Sequence, residues 1–85
     1  MKTRVAVMSI IVGNCNAVES INGLLHEYGE LIIGRMGIPY RKRTINMISI
    51  ALDAPQNTIA ALAGKIGGIK GVSVKTAYSG IINTD

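Results

Sequence analysis

The chain has no Phe, no Trp and only three Tyr, so any core must be built from Ile, Val, Leu, Met and Ala. The missing aromatics also remove the base-stacking platform that RNA-recognition sheets carry on their central strands. A single cysteine, Cys15, excludes an intramolecular disulfide framework and most Cys-rich zinc modules, and fits a reduced, cytoplasmic setting. There is one histidine, His26, and no two His or Cys residues stand at metal-ligand spacing. No segment reaches the roughly 18 apolar residues of a membrane helix, so no membrane association is expected. Lys2 and Arg4 ahead of an apolar run, with Cys15 behind it, imitate a lipoprotein leader. Asn14 stands where such a leader needs a small residue, and cleavage would remove the best strand in the chain, so the run is read as structure.

What remains is aliphatic and basic. In 85 residues, 48% are hydrophobic, and nine Lys and Arg against five Asp and Glu give a net charge of +4. That composition excludes a disordered chain, and the length allows one small domain, with no room for a separate effector domain.

Val5 to Val12 is β-branched and apolar without helical spacing, and reads as a strand buried on both faces. Gly13, Asn14, Cys15 and Asn16 break it. Asn16 followed by Glu19 forms a capping-box pattern, and Val18, Ile21, Leu24, Leu25 and Tyr28 give one apolar stripe, which predicts a helix from Ala17 to Tyr28 with Gly29 as its stop. Leu31 to Ile38, interrupted by Gly34 and Gly37 and ended by Pro39, is predicted at a sheet edge. Tyr40 to Thr44 is a polar hairpin connection, too short for a parallel crossover, leading into a strand from Ile45 to Leu52. Asp53, Pro55 and Gln56 signal a second helix start with Asp53 as cap. Ile59, Leu62, Ala63 and Ile66 are its stripe, Gly67 and Gly68 its end. Gly71 opens a last strand from Val72 to Tyr78.

The order strand, helix, strand, strand, helix, strand is the split βαβ arrangement of an α+β, ferredoxin-like, two-layer sandwich. Right-handed crossovers put strands one and three in the centre of a four-stranded antiparallel sheet with both helices on one face. The domain is expected over residues 1–78, with 79–85 as a tail. The opposite sheet face is then uncovered, yet strand one offers Val5, Val7 and Ile11 on one side as well as Ala6, Met8, Ile10 and Val12 on the other. Strand three adds Ile45, Met47 and Ala51 to the outer face. An apolar patch of that kind marks a partner surface, so a homo-oligomer, dimer or tetramer, is expected.

The chemistry-bearing residues are sparse. His26 reads as a solvated helix histidine and Cys15 as a small, partly buried filler, with no sequence-linked partner for nucleophilic catalysis. No catalytic residue, metal site or cofactor is expected. Arg41, Lys42 and Arg43 are basic enough to attract phosphates, which keeps nucleic-acid binding through this hairpin as the alternative reading. The aliphatic sheet face disfavours it, and a solvated charge run is the ordinary explanation. Ligand binding points elsewhere. Gly13, Asn14 and Asn16, at the turn into the first helix, offer amides suited to a small anion, and Gly34 and Arg35 on the edge strand suit a subunit or ligand contact.

The stretches 25–29 (Leu-His-Glu-Tyr-Gly), 32–39 (Ile-Ile-Gly-Arg-Met-Gly-Ile-Pro), 53–56 (Asp-Ala-Pro-Gln) and 71–76 (Gly-Val-Ser-Val-Lys-Thr) resemble the small regulators of the iron-only hydrogenase system. The resemblance runs over nearly the whole chain. It implies an ACT-like domain similar to the C-terminal domain of the nickel-responsive repressor, and a non-enzymatic regulatory module with a small-molecule effector or a protein partner. The chain departs from that repressor in having neither its ribbon-helix-helix arm nor its several His and Cys nickel ligands, which argues against direct DNA binding and direct nickel sensing.

Overall fold

The computed structural model of the protein describes residues 2–84. Four strands, β1 (Lys2–Val12), β2 (Ile32–Tyr40), β3 (Ile45–Ala54) and β4 (Val72–Thr84), and two helices, α1 (Val18–Glu27) and α2 (Gln56–Gly67), follow in the order β1-α1-β2-β3-α2-β4. The sheet is antiparallel with spatial order β2-β3-β1-β4. Strands one and three are therefore central, as the crossover rule requires, and the glycine-interrupted β2 lies at the edge.

The core is one-sided. Alternate residues of β1 (Ala6, Met8, Ile10, Val12) and β3 (Ile48, Ile50, Leu52, Ala54) are buried together with Ile21 and Leu25 of α1 and Ile59, Leu62 and Ile66 of α2. Both helices thus cover the same face. The intervening residues Val5, Val7, Ile11 and Met47 point the other way and are exposed, with Met36, Ile38 and Tyr40 of β2 beside them.

Five local expectations are corrected. The cap at the first helix is Asn14, not Asn16: the Asn14 Oδ1 accepts the Asn16 backbone N–H at 3.1 Å. A 3-10 turn, Cys15–Ala17, intervenes before α1, and Ala17 at the helix N-cap makes no side-chain bond. Gly29 does not stop α1 in a left-handed conformation. It opens a 3-10 turn, Gly29–Leu31, that leads directly into β2. Asp53 does not cap α2. It belongs to β3, paired with Val5, while Pro55 takes the N-cap place without a side-chain bond. Pairing with β1 outcompetes the cap because β1 extends back to Lys2 and keeps β3 in the ladder through Ala54. The same long β1 draws β4 past Tyr78 to Thr84, so 79–84 are strand rather than tail, with a bulge between Arg4 and Ala6. Asp85, the last residue of the expected tail, lies outside the described residues. Cys15, finally, is exposed instead of partly buried.

Two loops meet at the end of the sheet where β1 finishes. The Gly13 N–H donates to the Gly71 carbonyl at 2.8 Å. Gly71 has a φ of +80° and a Cβ there would lie 2.8 Å from the Asn14 Cβ, so both backbone conformation and space require glycine. At the far end of α1, Lys65 of α2 donates to the Tyr28 hydroxyl at 2.8 Å. This bond, before any other influence, raises the Lys65 pKa above its ordinary value.

Candidate functional site

A groove of about 230 Å³ runs between α1 and the edge strand β2, lined by Val18 and Asn22 from the helix, Arg35, Gly37 and Pro39 from β2, and Asn46 from β3. The local sequence explains the opening. Arg35, Gly37 and Pro39 occupy alternate positions of β2, on the helix side of the sheet by register with Ile50, Ile48 and Asn46. Gly37 contributes no side chain, and nothing lies within 4 Å of where its Cβ would be. The helix stripe of α1 is directed at the central strands through Ile21 and Leu25, which leaves its flank at Val18 and Asn22 facing the edge.

Arg35 is the groove's only charged lining residue. Its Nη2 donates to the Asn22 Oδ1 at 3.0 Å. The amide orients the guanidinium without neutralising it, and no carboxylate pairs with Arg35 among the described residues. A guanidinium held by a neutral acceptor keeps its remaining N–H groups for a planar anion such as a carboxylate. The Asn46 amide and the apolar Val18 and Pro39 flank it, and Ile38, Met47 and Ile48 complete the wall.

The turn residues behave differently. The Gly13 amide is taken by the Gly71 carbonyl, and the Asn14 Oδ1 by the Asn16 amide, so these two groups serve the turn itself. Gly13, Asn14 and Asn16 do not line the groove. Gly34 and Arg35, adjacent in sequence, face opposite sides of the sheet: Gly34 lies in a shallow depression on the outer face with Val7, Met36, Ser49 and Ala51, and Arg35 points to the helices. Asn22 and Asn46 were missed by sequence reasoning. Asn22 carries a signal, since it is a polar residue beside the buried stripe of α1. Asn46 carries none until its strand is registered against β2.

Catalytic alternatives find little support in the arrangement. His26 and Cys15 are exposed, and neither side chain has a hydrogen-bond partner among the described residues. Among the same residues no group of three His, Cys, Asp or Glu side chains could hold a metal ion. Arg41, Lys42 and Arg43 form an exposed 3-10 turn at the tip of the β2-β3 hairpin, with Tyr40 the one aromatic next to them. Among the described residues no helix is long and apolar enough to cross a membrane.

Comparison with solved structures places the chain beside uncharacterized protein TM1266 from Thermotoga maritima, with 38% identity and a TM-score of 0.86 over 89% of this chain and 96% of that one. A formyltetrahydrofolate deformylase from Pseudomonas putida KT2440 shares the fold at a TM-score of 0.62. With 11% identity and only 28% of the enzyme covered, that likeness speaks to the fold alone. No curated protein matches. Residues 4–76 match the TM1266-like family, described as "Iron-only hydrogenase system regulator, putative". With this match over most of its length and 38% identity to TM1266, the chain belongs to this family of iron-only hydrogenase system regulators.

Proposed function

We propose that the protein is a non-enzymatic regulatory module that works as an oligomer and takes a small carboxylate-bearing effector in the groove between α1 and β2. The observation that carries this reading is Arg35. Its guanidinium is oriented by Asn22, has no anionic partner among the described residues, and stands over an open groove. The family description as a regulator and the isolated positions of His26 and Cys15 support a binding role over a chemical one.

The test is a thermal-shift screen with amino acids, small dicarboxylates and inorganic phosphate. At least one carboxylate is expected to raise the melting temperature, and Arg35→Ala to abolish that shift with the unliganded melting temperature little changed. A silent screen on a protein confirmed as an oligomer would overturn the sensor and leave a protein-docking role. A control separates the nucleic-acid alternative: salt-sensitive binding of an oligonucleotide, lost when Arg41, Lys42 and Arg43 are changed to Ala, would move the function to the hairpin.

A further inference from the structure

The outer sheet face is graded by size in a regular way. Register pairs Ile38 with Met47 and Met47 with Ile11, a row of large side chains across β2, β3 and β1. Gly34, Ala51 and Val7 form a second row, of which Gly34 and Ala51 are small. Between them, two residues from each along every strand, runs the row Met36, Ser49 and Ser9. Nothing within 4 Å of Gly34 requires a glycine there, so its own chain makes no use of the space it leaves.

We propose that a second copy of this chain covers this face, related by a two-fold axis that runs along the Met36–Ser49–Ser9 row. This rests on the oligomeric reading above and names its interface. A two-fold axis makes an interface self-complementary. On β3 it sets each residue against its mirror position about Ser49, so Met47 of one copy seats on Ala51 of the other. In the same way Ile38 fills the space over Gly34 and Ile11 covers Val7. Large meets small at two of the three contacts, four times over the whole dimer, and Ile11 meets a residue one methylene smaller.

Three further observations agree. The apolar side chains of these rows are well exposed, Met36 at 59%, Ile11 at 48% and Ile38 at 47%. Together with Val5, Val7, Tyr40 and Met47 they present on the order of 600 Å² of apolar surface, at the upper limit for a monomer's largest patch. The serines and strand edges bring the footprint near the about 800 Å² per partner of a stable interface. Charge is nearly absent from the outward side of the three strands that carry the contact. Among the described outward-facing residues of these three strands only Asp53 is charged, and its Oδ1 is buried without a hydrogen-bond partner. The axis carries Asp53 opposite the partner's Ile45, whose ladder neighbour is Tyr40. The partner's Tyr40 hydroxyl then comes level with the Asp53 side chain across an inter-sheet gap of about 10 Å. Lys75, level with Ser9 on β4, lies on the axis at the border of the footprint and faces its own copy, where the long stems let the two ammonium groups part into water.

Sedimentation equilibrium across a range of protein concentrations tests the proposal. The wild-type chain is expected to self-associate. Met47→Ala and Ala51→Met are each expected to weaken association at least tenfold, and the double variant to recover most of it, since the exchange keeps one large and one small partner at each contact. Circular dichroism checks that each variant folds. A Cys15→Ser, Ser49→Cys variant supplies an independent reading, because cysteines at the axis are expected to be joined by a short bis-maleimide into a covalent dimer. A monomeric wild type overturns both the oligomeric reading and this interface. An oligomer indifferent to both single changes, a double variant that stays weak, or an absence of cross-linking overturns this interface alone.

Discussion

At the residue scale, ten glycines in 85 residues do unequal work, and geometry separates them. Gly71 combines a φ of +80° with a Cβ position 2.8 Å from Asn14. An alanine there meets a left-handed backbone and a neighbour that is itself fixed by the turn, so Gly71→Ala is expected to cost about 1–3 kcal/mol. Gly64 sits exposed in the middle of α2 with nothing within 4 Å. Gly64→Ala should stabilise by about 0.5–1 kcal/mol, because the helix keeps its geometry and the unfolded chain loses freedom. Urea denaturation of both variants, with unchanged slopes, measures the two signs side by side. Arg35 shows the same dependence on surroundings. Its exposure and basic charge are ordinary, and only the Asn22 contact across 13 residues of sequence distinguishes it from the solvated cations of the hairpin. The glycines around it singled out Arg35 in the sequence, but the partner that orients it came from a different element. The candidate site was therefore half legible: the cation could be read, and the groove it serves could not.

At the element scale, hydrophobic period located every helix and strand, while the ends of elements followed long-range pairing. Both helix stripes were legible because Ile21 and Leu25, and Ile59, Leu62 and Ile66, recur at helical spacing and are the residues that became buried. The edge position of β2 was legible for a different reason, since glycine and proline weaken a strand that must pair on both sides. Caps were not legible. Asn14 and Asn16 are equally good cap residues by type, and the choice between them is made by the bond from Gly13 to Gly71, which fixes where the turn begins. Asn14→Ala is accordingly expected to destabilise by about 1 kcal/mol through loss of the bond to the Asn16 amide. Asn16→Ala should change stability by no more than about 0.5 kcal/mol, as an exposed substitution with no side-chain bond to lose. Thermal or urea unfolding of the two variants decides between the caps. A larger loss for Asn16 would restore the capping box with Glu19.

At the scale of the whole molecule, the two faces of one sheet have opposite fates in a single chain. Ile50 and Met47 stand three residues apart on β3, the first fully buried under the helices and the second 38% exposed on the open face. Stability of the isolated fold rests on the first. Ile50→Ala removes buried methylene groups and leaves a cavity between sheet and helices, which should cost about 2–5 kcal/mol at every protein concentration. Met47→Ala removes a side chain that the monomer leaves 38% exposed, so at high dilution its cost should be about 1 kcal/mol, below that of Ile50→Ala. Copies that cover the open face change this comparison with concentration, because any species that binds the folded state alone raises its apparent stability by mass action. The wild-type unfolding midpoint is then expected to climb as protein is added and the Met47→Ala midpoint to stay flat. The Ile50→Ala variant should climb in parallel with the wild type from a lower start. A concentration series of urea melts on the three proteins reads all of these slopes. Parallel wild-type and Met47→Ala curves would mean that the outer face contributes nothing to association, whereas diverging curves would assign the helix side of the sheet to folding and the other side to assembly.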